Sequence, residues 1–567
     1  MAAPVSWRRL LNSVYSASSP AVAGVFSRIT DRLFRARDRG GGSSVLLLAP
    51  LLAEADPAPR RVPRTPGSAG AQGSSDGPCP HFTWMSQHVP AFRVPGTHVH
   101  VLTSPDQFYQ TMKARIRTAQ RRVVMASLYL GTGQLEQELV DCMEEALERS
   151  QENTSELKVS VLLDYTRGSR GLENSRSMLL PLLSRFWSQV RVSLYHTPDL
   201  RGLLRLLVPQ RFNETIGVQH IKVYLFDDSV IISGANLSES YFTNRQDRYV
   251  LLDDCAEVAD FFSDLVEAVS DVSLQLQPDD SVSMMDGMVH PYKGNRQDFS
   301  RAAQSRIMEV MNEARLRQRL QEENGARGRR EEEEDGAREH RGARGRREEE
   351  EEREEEEEDT WVFPLVQMKP LGISLDEQVT QRLLTDAGSD STVFLTSGYF
   401  NLTRAYMQLV LGAGARYRIL TASPEVNGFF GAKGVAGSIP AAYIHIARQF
   451  YDQVLRLGQE ERVHLHEYYR DKWTFHAKGL WYYLSGQPRP CLTLIGSPNF
   501  GYRSVHRDLE AQIAIVTDNE ELQTQLQEEQ ERLYRRSSEV SSSTFERPDR
   551  HVQLWVKLVT PLIKNFF

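Results

Sequence analysis

The chain has 567 residues, 40% apolar and 9% aromatic, enough for two core-forming domains or one large duplicated one. Its formal net charge of -8 comes from one stretch, 322–359, where about 19 acids face about 9 arginines. The remainder is near neutral or slightly basic, which leaves room for a basic site facing an anionic substrate but argues against the broad basic groove of a nuclease. Cys79, Cys142, Cys255 and Cys491 stand far apart without a C-x-x-C pair, which argues against a disulfide scaffold and a zinc site and fits a reducing compartment. No run of about 18 uncharged apolar residues is present to span a bilayer.

Residues 1–40 carry Arg8, Arg9, Arg28, Arg32, Arg35, Arg37 and Arg39 with many Ser and Ala, and the first thirty hold no acid. This is the composition of a mitochondrial transit peptide. Residues 41–88, rich in Pro, Gly and Ser from 57 to 80, read as a linker.

From residue 89 the elements alternate. Residues 122–130 read as a strand, 134–149 as a helix, 157–165 as a strand, 177–187 as a helix, and 190–195 as a strand. Two further strands, 218–226 and 229–233, complete the unit, which extends to about 280. The strand at 122–130 lacks G-x-x-x-x-G-K-[ST], so no triphosphate loop is expected there. Residues 281–360 read as a linker, helix-permissive at 302–322 and then a Glu/Arg block that cannot bury apolar surface. Residues 361–540 repeat the first pattern. Strands are expected at 392–396, 417–421, 463–467, 475–483 and 492–495, and helices at 403–411 and 441–457. Residues 541–567 form an apolar and basic tail. Alternating strands and helices predict an α/β architecture with crossover connections.

Each half carries a His-x-Lys motif. The first is His220-Ile-Lys222 followed by Asp227, and the second is His476-Ala-Lys478, with Tyr483 where a matching Asp would stand. In a strand, side chains at i and i+2 face one side, so each His and its Lys project together. Downstream lie Ser233-Gly-Ala-Asn236 and Gly496-Ser497-Pro-Asn499. Asp247 and Glu510 stand at the same distance after Asn236 and Asn499. One isolated H-x-K means little; four matched residue types in both halves mean far more. The spacing predicts that Asp247 accepts the distal N–H of His220 and Glu510 that of His476, each fixing the imidazole of its own half. The second half has about seven extra residues, 485–491, between its His and its Asn, which puts a loop near the second motif.

The pattern H-x-K-x4-D followed by G-x-x-N resembles the phospholipase D superfamily over about 90–535. Within it, the transit-like start, the run VQHIKVYLFDDSVIISGANLSESYFTNRQDRYV, and FHAKGLWYY with GSPNFGYRSVHRDLEAQ resemble the mitochondrial phosphatidyltransferases. The resemblance implies two phospholipase-D-like α/β/α units related by a pseudo-two-fold axis, with one active site between them. It implies transfer of a phosphatidyl group from CDP-diacylglycerol to glycerol 3-phosphate through a phosphohistidine. It further implies a location at the matrix face of the mitochondrial inner membrane, peripheral contact with lipid, and no nucleic-acid partner.

Family members use the first motif for attack, which makes His220 the nucleophile and a protonated His476 the acid and then base. Lys222 and Lys478 would meet the non-bridging phosphoryl oxygens, with Asn236, Asn499, Ser497 and Arg503 as further phosphate contacts, and neither metal nor cofactor is expected. Asp227 joins the catalytic set as the third motif residue. His464, His466, Tyr468 and Tyr469 are candidates for the acceptor side. The apolar, Arg-bearing segment 200–209 and the tail with Trp555, Phe566 and Phe567 read either as ordinary packing or as lipid contacts. The motifs alone do not separate a transferase from a phospholipase-D-type phosphodiesterase, lipid hydrolase or nuclease.

Overall fold

The duplication in the sequence is a duplication in space. The computed structural model describes residues 80–153, 155–339, 357–431 and 437–566; the transit-like segment and Cys79 lie outside them. In the first half the strands lie in the order Val190–Tyr195, Lys158–Asp164, Arg122–Ala126, Val223–Phe226, Ser229–Ser233, Tyr249–Leu252 and Val99–Leu102. The second half repeats that order with Val463–Tyr468, Arg416–Ala422, Thr392–Ser397, Gly479–Tyr483, Leu492–Gly496, Glu510–Thr517 and Thr360–Met368. In both sheets the first three strands are parallel and the remaining neighbours antiparallel.

Parallel neighbours require crossovers, and helices supply them. Gln134–Glu152 and Ser175–Arg185 do so in the first half, Arg404–Gly412 and Ile439–Arg456 in the second. Local chemistry starts these helices where it should. Asn174 accepts from the amides of Arg176 and Ser177 in a capping box, and Thr403 accepts from Tyr406 N. After Tyr249–Leu252 and after Glu510–Thr517 a helix, Ala256–Asp271 or Glu520–Tyr534, returns the chain to the other side of its sheet, where Leu274–Leu276 pairs with Val190–Tyr195 and Ser537–Glu539 with Val463–Tyr468.

Period-two alternation divides the core. Val223 and Leu225 face a cluster that continues through both sheets, whereas Tyr224 and Phe226 face the helices Pro105–Thr118 and Gln134–Glu152. The two halves therefore share one interior. Arg248, almost wholly buried, crosses it from the first half. Its guanidinium donates to Glu529 Oε1 and Oε2 (3.0 and 2.8 Å), Thr493 Oγ1 (2.8 Å) and the Leu494 carbonyl (2.8 Å), over the Trp481 ring. Removing either partner of such a buried pair costs about 3–5 kcal/mol, because a bare charge is left in the interior.

Three expectations change. The 281–360 stretch is not merely a connector: helix Arg296–Glu339 buries Phe299, Ala303, Ile307, Val310, Met311 and Ala314 in the shared core. Those positions recur every three or four residues, so the helix carries an apolar stripe before its charged end. Residues 340–356 lie outside the description. Phe92–Val94, placed by sequence in the first half, pairs antiparallel with Thr360–Val362 at the edge of the second sheet.

Asp227 is the third. It sits in the hairpin after Val223–Phe226 at a positive φ of 52°, at the end of that strand remote from Lys222. Its carboxylate accepts from the amides of Gln120, Arg121 and Arg122 at 2.8–3.0 Å. Asp227 anchors the start of the strand Arg122–Ala126, at the opposite end of its own strand from the His-x-Lys motif. That explains how the second half manages with Tyr483, whose hydroxyl donates to Gln530 Oε1 (3.0 Å).

Candidate active site

His220 and His476 stand just before Val223–Phe226 and Gly479–Tyr483, in extended segments and not within the strands. Val223 pairs with Ala126 and Gly479 with Thr396, so both histidines lie at the carboxyl ends of the parallel strands. There the halves are stitched together twice in the same manner. His220 N donates to the Leu509 carbonyl (2.8 Å) and Leu509 N to that of Val218 (2.9 Å). His476 N donates to the Gln246 carbonyl (2.8 Å), and Thr474–Phe475 runs parallel to Arg245–Gln246.

This stitching decides which carboxylate meets which imidazole. His220 Nδ1 donates to Glu510 Oε2 (2.8 Å) and His476 Nδ1 to Asp247 Oδ2 (2.6 Å). The expected pairing within each half is therefore wrong: each half orients the other half's histidine. The reason is geometric, because the strand leading to each carboxylate runs beside the opposite motif. With Nδ1 held as N–H by its acceptor, Nε2 keeps the lone pair.

Lys222 and Lys478 are fully buried. Lys222 Nζ donates to the His220 carbonyl (2.6 Å), leaving two of its three N–H bonds for a ligand. Lys478 Nζ lies 2.8 Å from Nδ1 and 3.4 Å from Nε2 of His476, and donates to the His476 carbonyl (2.9 Å). A Cβ on Gly234 would stand 2.7 Å from Asp247 Oδ1 and 2.8 Å from Lys478 Nζ, so the glycine two residues before Asn236 allows this close approach. Asn236 Nδ2 donates to Tyr241 Oη (3.1 Å), while Oδ1 of Asn236 and of Asn499 has no partner.

Burial dominates the electrostatics. Burial, and then Lys222, holds His220 well below the usual imidazole range. Burial, and then Lys478, lowers His476 to about 3. Both shifts favour the neutral imidazole, whereas the sequence reading expects a protonated His476. Burial lowers both lysines too. Burial raises the Glu510 carboxyl. It also pushes Asp247 upward, but Lys478 and His476 outweigh it and the carboxyl ends below its ordinary value.

Other expected residues fall into two groups. Arg503 is close: its Nε donates to Asp508 Oδ2 (2.8 Å), and its charge is felt at His220. Ser497 braces the site: its hydroxyl exchanges two 3.1 Å hydrogen bonds with the Ala511 backbone beside Glu510. Ser504 Oγ donates to Glu510 Oε1 (2.6 Å). His464 bonds Glu539 at the sheet edge and His466 packs on Tyr534, so neither belongs to the site. Tyr468 stacks on Phe475, next to His476. Among the described residues, His220, Asp508 and Glu510 bring ligand atoms within 4.8 Å of one another, but Arg503 and Lys222 already set cationic charge against those carboxylates.

The sequence reading missed Tyr241, Arg245, Tyr399, Tyr129 and Asp508. Tyr241 Oη lies 3.4 Å from His476 Nε2, and the Tyr399 ring meets the His476 ring edge-on at 6.3 Å. One signal was available: Ser127-Leu-Tyr129 and Ser397-Gly-Tyr399 end the equivalent first strands.

Paired His-x-Lys motifs with a carboxylate on each Nδ1 are brought together by two copies of one α/β unit, the arrangement that the resemblance to the phospholipase D superfamily implies for phosphodiester transfer. No family model matches the chain. It is 62% identical to the human mitochondrial CDP-diacylglycerol–glycerol-3-phosphate 3-phosphatidyltransferase, over all of this chain and 99% of that one. It is 33% identical to the Saccharomyces cerevisiae CDP-diacylglycerol–glycerol-3-phosphate 3-phosphatidyltransferase over 83% and 88% of the two chains. The chain belongs to the family of CDP-diacylglycerol–glycerol-3-phosphate 3-phosphatidyltransferases. Its fold is similar to that of phosphatidylserine synthase from Haemophilus influenzae, with a TM-score of 0.61 and 18% identity over 86% of this chain and all of that one.

Proposed function

We propose that this chain moves the phosphatidyl group of CDP-diacylglycerol to glycerol 3-phosphate, giving phosphatidylglycerophosphate and CMP, the committed step towards phosphatidylglycerol and cardiolipin. The observation that carries the reading is the pair of buried, neutral imidazoles, each held at Nδ1 by the opposite half. In the first displacement, Nε2 of His220 attacks the phosphorus bearing diacylglycerol and the bond to CMP breaks. In the second, the glycerol hydroxyl attacks that phosphorus, the P–N bond breaks, and His220 is restored.

The surroundings of the two rings favour His220 as nucleophile. Attack makes its ring cationic, and it has Glu510 and Asp508 beside it. His476 also has a carboxylate, Asp247, on Nδ1, but beyond it has Arg245 where the first ring has Asp508. A neutral His476 also suits the chemistry. CMP leaves on a phosphate oxygen whose pKa is on the order of 6, so the first step needs little acid help. The acceptor hydroxyl is far less acidic and needs a base. The proton taken by His476 Nε2 is stabilised through Nδ1 by Asp247. Lys222 and Lys478 neutralise the phosphoryl oxygens with Asn236 and Asn499 beside them, which asks nothing of a metal.

The donor is a lipid, and no helix among the described residues is long and apolar enough to cross a membrane. Exposed apolar side chains gather on the loops at the strand ends that carry the histidines: Leu172, Leu203, Leu206, Leu207, Phe430 and Tyr469. Arg201 and Arg205 flank the leucines, a composition suited to an anionic bilayer surface at the matrix face of the inner mitochondrial membrane. Replacing Leu206 and Phe430 by Glu is expected to reduce co-sedimentation with phosphatidylcholine–phosphatidylglycerol vesicles about tenfold. Unchanged sedimentation would remove this face from the proposal.

The transferase reading is tested with CDP-diacylglycerol in mixed micelles, labelled glycerol 3-phosphate and EDTA. CMP release should require glycerol 3-phosphate and match label entering lipid. Release indifferent to the acceptor would mean hydrolysis, and complete loss with EDTA would sink the metal-free mechanism.

A further inference from the structure

The two sides of the site are equivalent in backbone and opposite in charge. The eleven-residue spacing and the two stitches make Arg245 the counterpart of Asp508, and Tyr241 the counterpart of Ser504. On the His220 side the local cation is already neutralised, because Arg503 is bound to Asp508. On the His476 side Arg245 has no carboxylate partner among the described residues. Its Nε donates to Thr474 Oγ1 (3.0 Å), its Nη1 to Tyr241 Oη (3.1 Å), and its plane lies over the Tyr241 ring.

These contacts fix the guanidinium and leave Nη2 unengaged. It points to a space bounded by Tyr399 and Gly428, where a Cβ on residue 428 would stand 3.7 Å from Nη2 and 3.0 Å from Tyr399 Oη. Arg245 is one hydroxyl away from His476 Nε2, since Tyr241 Oη touches both.

We infer that Arg245, with Tyr399 and the gap kept open by Gly428, is the subsite for the phosphate monoester of the acceptor. The inference rests on the transferase reading and names what makes a phosphorylated alcohol, and not water or a plain polyol, the preferred attacker. A fixed guanidinium suits a phosphate dianion, to which the N–H bonds of Nη2 remain to donate. In glycerol 3-phosphate the attacking hydroxyl and the phosphate sit at opposite ends of three carbons. Phosphate on Arg245 therefore brings the hydroxyl towards the base at His476.

The test is steady-state kinetics of R245Q and R245K in the mixed-micelle assay, with thermal unfolding of each variant and inorganic phosphate as a competing probe. In R245Q the KM for glycerol 3-phosphate should rise tenfold or more while that for CDP-diacylglycerol moves less than twofold. R245K should fall between R245Q and the unsubstituted protein. The inhibition constant of inorganic phosphate, competitive with glycerol 3-phosphate in the unsubstituted protein, should rise in parallel. A rise in the KM for CDP-diacylglycerol as large as that for the acceptor would assign Arg245 to the departing CMP phosphate and overturn the inference. So would no change in either constant with an unchanged unfolding temperature. Failure of the transferase reading would look different: CMP release by the unsubstituted protein would ignore glycerol 3-phosphate altogether.

Discussion

Replacing His220 by alanine is expected to lower phosphatidyl transfer by about five orders of magnitude and to abolish any phosphatidyl label on the protein. No other described side chain offers an Nε2 lone pair beside Glu510 and Lys222, so nothing in the cleft can take over the attack. His476→Ala should reduce turnover comparably but stop the reaction at a different point. Expulsion of CMP needs little protonation, whereas activation of the glycerol hydroxyl needs the base. Incubated with CDP-diacylglycerol labelled at the phosphatidyl phosphorus, the H476A protein should release CMP once and retain an acid-labile, alkali-stable label on His220. Label accumulating in H220A and not in H476A would exchange the two roles. Substantial turnover in either variant would remove that residue from its part.

Asp247→Asn and Glu510→Gln test the crossed pairing, with an expected loss of about 10²–10⁴ in kcat, the scale seen when a carboxylate that holds a catalytic imidazole is neutralised. Because Asp247 lies 2.6 Å from His476 Nδ1, D247N should slow the second displacement and accumulate the same label as H476A, more weakly. Because Glu510 lies 2.8 Å from His220 Nδ1, E510Q should slow labelling itself. Rapid-quench measurement of label formation and decay separates the two. If each carboxylate served its own half, the phenotypes would be interchanged, and that result would overturn the pairing.

The motif residues, the duplicated order of elements and the family were legible in the sequence because they are local or repetitive signals. His220, Lys222, His476 and Lys478 stand at fixed offsets from strands that read as short apolar runs. The strands 190–195 and 229–233 fall where such runs put them. Asp227 misled because motif membership was taken for proximity. Its own backbone, turning at positive φ after a strand, shows that it belongs to a hairpin. The helix from Arg296 was legible over 302–322, but its charged continuation masked the apolar stripe that buries its first turns.

What residue order by itself determined was a set: two imidazoles, two ammonium groups, two amides and two carboxylates, delivered by two copies of one α/β unit. Only the docked halves decided the pairing, the protonation and the asymmetry. Glu510 reaches His220 because 509 runs beside 218–220, residues nearly three hundred apart in the chain. The neutral form of each imidazole is favoured because the closed interface strips water from it, a many-body effect that no local pattern encodes. Arg245 and Asp508 acquire opposite meanings for the same reason: their side chains are set against each other across an axis that exists only once the two sheets have met.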